Sequence, residues 1–270
     1  MHKITGKILY TSLNILNVYP FVLYIVYDKK RFNMSYEIQC LNIINNAKYG
    51  LRANCCVYVI HVKIHDTEQR IKNIIDTIND TSWYKTVADE DIKEGFISAR
   101  DRTVKKLMED IFNNVTLPVS VETGEYIIST TAQDTLVNKL EHKHIPLAEL
   151  WKEKKSGNPG FDFHTISSSD LIVFGEAKFS KHKNPYGKGI EQVARFIEEK
   201  KDKYDKTFLL HFAPKPSLDN FGSGNRAFCV AFSLNTCRSK TILSNAVKHI
   251  KKFNLDSFPE LFIIGVEICQ

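Results

Sequence analysis

Apolar runs separated by short polar turns predict a chain in which strands and helices alternate. The run 171–174 is continuously apolar, which is typical of a strand buried on both faces, yet it leads directly into Glu176 and Lys178. A second strand-like segment, 160–166, precedes it across the polar residues 167–170. Two such segments joined by a short turn predict a β-hairpin.

The predicted hairpin brings charged side chains together at one end. A pairing centred near Ser169 sets Asp162 opposite Glu176, or within one residue of it. Because side chains alternate along a strand, Glu176 and Lys178 point to the same face. Buried carboxylates are costly when they are unpaired, and a divalent cation with oxygen ligands removes that cost. The pattern therefore predicts a magnesium or manganese site.

Helices are predicted on both sides of the hairpin. Residues 125–141 show apolar positions at helical spacing, with Glu125 in line with them at the helix start. Glu125 is thus a candidate site residue, although an acid in a first turn can also serve only to stabilise the helix dipole, and Glu122 is an alternative. Residues 189–203 form the second predicted helix, which carries Gln192.

The rest of the pattern suggests two parts. Residues 1–85 are predicted to form an N-terminal accessory α+β region, and 86–270 an α/β unit built around the hairpin. Further strands are expected at 21–27, 36–41, 55–64, 207–212, 227–233 and 261–268. Further helices are expected at 67–78, 92–113 and 240–253. The predicted fold class is therefore α/β (α+β), with a mixed central sheet flanked by helices.

Asp162 and the tripeptide Glu176-Ala177-Lys178 resemble the signature of the PD-(D/E)XK, or restriction-endonuclease-like, nuclease superfamily. The resemblance covers residues 125–196. It implies a restriction-endonuclease-like core in which Asp162, Glu176 and the main-chain carbonyl of Ala177 hold Mg²⁺, with Mn²⁺ as a substitute. It also implies that Lys178 assists the attacking water.

Two flanking positions and one departure extend this resemblance. Glu125 resembles the acid that an upstream helix of the superfamily often adds to the metal site. Gln192 and Phe196 are similar to the Gln-x-x-x-Tyr element of the RecB-like branch, with Phe in place of Tyr. The proline that gives the superfamily its name does not directly precede Asp162, although Pro159 lies close by.

The resemblance implies a metal-dependent nuclease that hydrolyses phosphodiester bonds in DNA, with RNA left open. A chain of this size with an unfamiliar N-terminal part is most similar to bacterial and mobile-element defence nucleases, such as the one that works with a helicase in Hachiman-type antiviral systems. A helicase or another defence protein is therefore an expected partner. Control by a partner is expected because a free nuclease would damage its host, and an oligomer is left open.

Composition and charge are compatible with this picture. The 270 residues have a formal net charge of +6 and a sequence pI of about 8.8, slightly below the value above 9 that marks nucleic-acid-binding domains. Lys181, Lys183 and Lys188 follow the Glu176 strand and are predicted to contact nucleic-acid phosphates. A second basic cluster, at 152–155, is a weaker candidate for the same role.

Other features narrow the class of protein. The apolar stretch 18–27 is too short to span a bilayer and no signal-peptide pattern precedes it, so a cytoplasmic protein without membrane contact is expected. The six cysteines include no Cys-x-x-Cys pair, which argues against a zinc ribbon or a thioredoxin motif. His164 shares a strand face with Asp162 and is interpreted as a core histidine.

Two alternative functions stay open. The first is a non-catalytic nucleic-acid-binding or complex-assembly protein that retains the nuclease fold, although the intact Asp, Glu and Lys set argues against it. The second is an unrelated α/β protein in which Glu176 and Lys178 form an ordinary salt bridge, and it predicts no metal affinity.

Overall fold

A computed structural model describes residues 35–109, 119–152, 160–235 and 238–269. Their strands form one seven-stranded sheet. The strands are β1 (Tyr36–Ile43), β2 (Cys56–Ile64), β3 (Lys143–His144), β4 (Phe163–Ile166), β5 (Ile172–Lys178), β6 (Ala227–Leu234) and β7 (Glu260–Ile268). The expected mixed sheet flanked by helices is thus confirmed.

The spatial order of the strands is β1-β2-β7-β6-β5-β4-β3. The central strands β2, β7, β6 and β5 run parallel to one another, whereas β1 pairs antiparallel with β2, β4 with β5 and β3 with β4. Every residue of β6 is buried, as is usual for a parallel strand covered on both faces. The hairpin β4–β5 therefore joins the parallel centre of the sheet to one of its edges.

Nine helices accompany the sheet in the described part of the chain. They are α1 (Asn46–Tyr49), α2 (Thr67–Asn79), α3 (Glu90–Leu107), α4 (Val121–Leu140), α5 (Ala148–Trp151), α6 (Tyr186–Glu198), α7 (Lys201–Leu209), α8 (Lys215–Gly222) and α9 (Ser239–Ile250). Short 3₁₀ turns occupy Ser82–Thr86, Lys251–Phe253 and Leu255–Ser257. No helix among the described residues has the length and apolar character that crossing a membrane requires.

The helices α4 and α6 cover opposite faces of the sheet beside the hairpin. Gly124 of α4 lies against the ring of Phe179, and Gly189 of α6 lies against Val230 of β6. Val230 is the cross-strand partner of Glu176, and side chains alternate between the two faces from Glu176 to Phe179. Glu176 consequently points toward the α6 side of the sheet.

Two sequence predictions in this part of the chain are wrong. The single helix predicted at 189–203 is two helices, α6 and α7, because Lys200 adopts a left-handed conformation with φ 58° and ends α6. The strand predicted at 207–212 is the end of α7 and the turn after it. Phe208 and Phe212 both pack on Trp151, so the apolar residues are used at four-residue rather than two-residue spacing.

Most other predicted elements are confirmed with shifted ends. The helix predicted from residue 125 begins four residues earlier, where the Ser120 hydroxyl caps it by accepting a hydrogen bond from the Thr123 amide. The helix predicted at 92–113 is α3, and part of the predicted range lies outside the described residues. The strand predicted at 21–27 lies wholly outside them.

The predicted division at residue 85 stays a prediction. The described part of the N-terminal region supplies β1 and β2 to the common sheet, where β2 pairs with β7 from Cys56 to Ile64. The two predicted parts therefore share one continuous hydrogen-bonded sheet in residues 35–269, apart from the gaps given above.

Candidate active site

The β4–β5 hairpin has the register that the sequence predicts. Phe163 pairs with Gly175, and the Asp162 amide donates to the Gly175 carbonyl at 2.9 Å. Asp162 and Glu176 are therefore opposite each other where the hairpin opens. One carboxylate oxygen of Asp162 also accepts a hydrogen bond of 2.8 Å from the amide of Ala177. That bond fixes the Asp162 side chain against the strand that carries Glu176.

The Lys178 ammonium lies among the groups that the resemblance implies as metal ligands. Its Nζ donates to Glu176 Oε1 at 2.6 Å and to the Ala177 carbonyl at 3.0 Å. The same Nζ lies 3.6 Å from Glu125 Oε1. A carboxylate from the hairpin, a main-chain carbonyl and a carboxylate from α4 thus surround a single positive charge.

Burial sets the electrostatics of this cluster. Glu176 is 1% exposed, and its burial together with the negative charge of Asp162 raises its pKa well above the usual value, against the opposing effect of Lys178. Burial alone would lower the pKa of Lys178, but the charges of Glu176, Asp162 and Glu125 raise it instead. The ammonium is therefore held in its charged form by the acids around it.

Glu125 reaches the cluster because α4 approaches the end of β5 closely. A side chain at Gly124 would place its Cβ 2.3 Å from Phe179 Cγ, so only glycine allows this contact. Glu125 lies in the second turn of α4, where it is partly exposed and directed at Lys178. Glu122, the alternative acid, is exposed in the first turn of the helix. Of the two acids, Glu125 is the one that the structure brings to Lys178.

Gln192 lies on α6, one turn after Gly189. This part of α6 lies close to the cluster, because a Cβ added at Gly189 would be only 3.6 Å from Lys178 Cγ. Gln192 itself is half-buried, and its role stays a prediction. Phe196 points into the core, where its ring packs edge to face on Phe161 at 5.3 Å. Phe196 therefore supports the segment that leads into Asp162.

The predicted lysine loop is tied down at several points. Ser233 and Asn235, at the end of β6, bond to the main chain of Ser180, and Asn235 also donates to the Lys183 carbonyl at 2.7 Å. Lys183 and Lys188 are exposed. Lys183 is thus displayed from an anchored loop that begins directly after Lys178, and Lys188 is displayed from the first turn of α6.

The second basic cluster has a different position. Lys152 is 5% exposed and points into the protein, so it is not available to a phosphate. Lys154 and Lys155 lie outside the described residues. The ammonium of Lys152 instead donates to both oxygens of Asp205, at 3.0 and 3.2 Å, and to the carbonyl of Phe161 at 2.9 Å.

Asp205 is the centre of a buried network that the sequence prediction missed. Its Oδ2 accepts hydrogen bonds from the Phe161 amide at 3.0 Å and from His164 Nε2 at 3.1 Å. Both partners are on the segment that carries Asp162, so the network holds this segment from inside the protein. The sequence around Asp205 does not indicate this role. His164, a histidine on an otherwise apolar strand, is the one feature of the sequence that pointed to a buried polar partner.

The network also fixes the charge state of its members. Burial lowers the pKa of His164, against the opposing charge of Asp205, so the imidazole is neutral and donates through Nε2. Burial alone would raise the pKa of Asp205, but its bonds with His164 and Lys152 lower it. A neutral histidine and a Lys–Asp ion pair are therefore sealed beneath the hairpin.

The hairpin cluster offers oxygen atoms of the kind that bind a divalent cation. The second oxygen of Glu176 is buried and has no hydrogen-bond partner, and such an atom is costly unless a cation or proton satisfies it. Hard oxygen ligands are those that magnesium prefers. Among the described residues, no three His, Cys, Asp or Glu side chains lie together as a ready-made metal group. The predicted set instead combines two hairpin carboxylates with the Ala177 carbonyl and the outlying Glu125.

Comparison with known proteins adds no assignment to this geometry. No protein-family model, curated protein or solved structure matches the chain. The superfamily resemblance consequently depends on the residues of the hairpin and of the two helices beside it.

Proposed function

We propose that this protein is a metal-dependent nuclease of the PD-(D/E)XK type that hydrolyses phosphodiester bonds in DNA, with RNA left open as a substrate. The observation that carries the proposal is the position of Lys178. Its ammonium is bound by Glu176 and the Ala177 carbonyl and lies 3.6 Å from Glu125, beside an Asp162 that is hydrogen-bonded across the hairpin.

An ordinary structural salt bridge does not account for this arrangement. A solvated pair at a strand end contributes little and needs no buried partner. Glu176 is almost wholly buried and keeps one oxygen without a partner, and Asp162 and Glu125 add further negative charge nearby. Such a concentration of acids around one ammonium favours a cation-binding function over a purely structural one.

The residues would divide the chemistry between them. Asp162, Glu176 and the Ala177 carbonyl would hold Mg²⁺, or Mn²⁺ in its place, and Glu125 would complete the set. When bound, the cation polarises the scissile phosphate and lowers the pKa of the attacking water. Lys178 would orient that water and stabilise the negative charge that develops on the phosphate.

A restriction-endonuclease-like core and a role in antiviral defence belong to the same proposal. The parallel central strands, the antiparallel hairpin at their side and a helix on each face support the core assignment. A helicase or other defence protein as partner follows from the resemblance described above. The lysines displayed beside the site, Lys183 and Lys188, support a polyanionic substrate.

Cleavage assays with matched variants test this proposal. Supercoiled plasmid, linear duplex, single-stranded DNA and RNA are each incubated with protein in Mg²⁺, in Mn²⁺ or in EDTA. We expect metal-dependent cutting that Glu176→Gln and Lys178→Met each reduce at least about 100-fold, because each removes a group that acts on the reacting phosphate or its cation. Glu267→Gln is the control, since Glu267 is also a strand glutamate that pairs with a lysine, Lys63.

The Glu267→Gln control distinguishes a loss of catalysis from a general loss of folded protein. Glu267→Gln should cut at the wild-type rate. Cutting that survives equally in all variants would come from a contaminant and contradict the proposal. No cutting together with no Mg²⁺ binding by calorimetry would favour the structural salt bridge, whereas nucleic-acid binding without cutting or metal affinity would favour the non-catalytic alternative.

A further inference from the structure

Three segments of the chain carry basic residues and no acidic ones. The segment 178–190 contains the predicted lysine loop, 239–253 contains α9 and the 3₁₀ turn after it, and 44–54 contains α1. Their basic residues are Lys178, Lys181, Lys183, Lys188, Lys240, Lys248, Lys251, Lys252, Lys48 and Arg52. In contrast, the exposed helix α3 mixes both signs of charge, with Glu90, Asp91, Glu94 and Asp101 among its residues.

Side-chain contacts join these three segments in space. The ring of Tyr186, at the start of α6, meets the ring of His249 on α9 at 6.0 Å. At the middle of α9, the hydroxyl oxygens of Tyr49 and Ser244 lie 3.3 Å apart. After α9, Lys251 donates to the carbonyl of Gly50. The three segments are thus neighbours that form one surface beginning at the hairpin, and the exposed Glu191 of α6 comes directly after the first segment.

Three lysines form a stripe on this surface, two of them on α9 and one in the 3₁₀ turn after it. Lys240 and Lys248 are eight residues apart with Ser244 between them, and Lys252 follows four residues later in the turn. Residues four apart are neighbours on a helix surface. All three lysines are exposed. The face of α9 that carries Leu243, Ala246, Val247 and Ile250 is buried. Packing of that face against the protein directs the lysine stripe toward solvent.

We propose that Lys183, Lys188, Lys240, Lys248 and Lys252 form a binding surface for the phosphodiester backbone of a nucleic acid. This basic surface would hold the strand that enters the hairpin site. The inference rests on the proposed nuclease function for its purpose, but the surface itself is tested by binding alone. A row of exposed lysines is complementary to the row of negative charges on a nucleic-acid backbone.

The length of the stripe is suited to several phosphates. α9 has twelve residues and is about 18 Å long at a rise of 1.5 Å per residue. Consecutive nucleotides of one DNA strand are about 3.4 Å apart along the helix axis. A backbone lying along α9 therefore passes about five phosphates over the stripe. Such contacts hold the backbone without reading base sequence, so the surface would support binding to many sequences.

Salt-dependent binding of a labelled 20-base-pair duplex tests the surface. The measurement is fluorescence anisotropy in EDTA, so that no cutting occurs. The stripe variant, Lys240→Gln, Lys248→Gln and Lys252→Gln together, is compared with a control that carries the same charge loss, Lys105→Gln, Lys106→Gln and Lys203→Gln. The control lysines are exposed on α3 and α7.

The expected result is a change in slope for the stripe variant only. Each lost phosphate contact makes the negative slope of log K against log salt shallower by about 0.9. The slope should therefore become shallower by about 2.7 in the stripe variant and stay unchanged in the control. If the wild-type protein and the stripe variant bind equally near 1 M salt, this change in slope makes the variant bind roughly 100-fold more weakly at 0.15 M salt. Single-stranded DNA and RNA probes show which nucleic acid the surface prefers.

Three results would overturn the inference. The first is an equal change of slope in the two triple variants, and the second is no nucleic-acid binding by the wild-type protein. The third is a loss that appears only with vesicles containing phosphatidylserine, which would identify an anionic membrane as the ligand. A protein that shows the expected slopes but never cuts would support the basic surface and contradict the nuclease, so the two proposals fail separately.

Discussion

Asp205 shows at the residue scale how one buried side chain positions several others. It bonds to the amide of Phe161 and to His164, which lie on either side of Asp162, while Lys152 neutralises it. Gly160 completes the arrangement, because a Cβ there would lie 2.2 Å from the Lys152 ammonium. The position of Asp162 opposite Glu176 is therefore stabilised by this buried network as well as by the hydrogen bonds of the hairpin.

Asp205→Asn is expected to lower the free energy of unfolding by about 3–5 kcal/mol, because it leaves the Lys152 ammonium buried without its counter-charge. Lys152→Met should cost a similar amount. The double variant should be less destabilised than the sum of the two, since neither charge is then left alone. Urea unfolding followed by circular dichroism measures all three.

The control for this cycle is Asp219→Asn, which breaks the exposed pair with Lys215 and should change stability by less than about 0.5 kcal/mol. Simple additivity of the Lys152 and Asp205 effects would contradict a coupled buried pair.

Residue-level prediction from the sequence succeeded where neighbours in the chain decide the geometry. Strand alternation and one short turn are sufficient to bring Asp162, Glu176 and Lys178 together. Lys152 and Asp205 are 53 positions apart, and their contact depends on how α5 and α7 pack. Nothing in the local pattern of either residue encodes that packing.

The break between α6 and α7 belongs to the scale of elements. Residues 189–203 have no glycine or proline after the first position, so the local sequence favours one uninterrupted helix. The structure instead places Lys200 at φ 58° and buries Asp202 and Asp205 on the new helix. Tertiary packing of α7 therefore overrides the local preference, at the cost of a lysine in a conformation that favours glycine.

Lys200→Gly is expected to raise the free energy of unfolding by about 1 kcal/mol, because glycine adopts the left-handed conformation without the steric cost that a side chain imposes. Thermal and urea unfolding measure the change. Lys203→Gly, the same substitution inside α7, should instead lower stability by about 1 kcal/mol. A loss of stability in both variants would mean that the break at Lys200 is not the native one.

The shared sheet is the main feature at the scale of the whole molecule. The sequence predicted nearly all of its strands, because apolar runs bounded by turns identify strands locally. The pairing of β2 with β7 was not predictable, since it joins residues about 200 positions apart in the chain. The two tryptophans extend the same connection: Trp83 and Trp151 both pack on the ring of Phe212.

The described parts on either side of residue 85 are expected to unfold together. Trp83 reports on one side and Trp151 on the other, so the variants Trp83→Phe and Trp151→Phe each leave a single fluorescent probe. In each variant, the urea midpoint seen by the remaining tryptophan should coincide with the midpoint from far-ultraviolet circular dichroism. Separate midpoints would support an independent accessory region at 1–85.

The path of α9 across the sheet also sets an occluded site size. Burial raises the pKa of Cys40 on β1 and the charge of Lys240, at the start of α9, opposes that rise, whereas His249 near the other end of the helix meets the ring of Tyr186. Tyr186 itself packs on Phe232 of β6, and α9 is about 18 Å long. A duplex lying along the helix spans about five base pairs. Each bound molecule would cover at least that length, so an oligonucleotide of three or four base pairs would leave part of the surface unused.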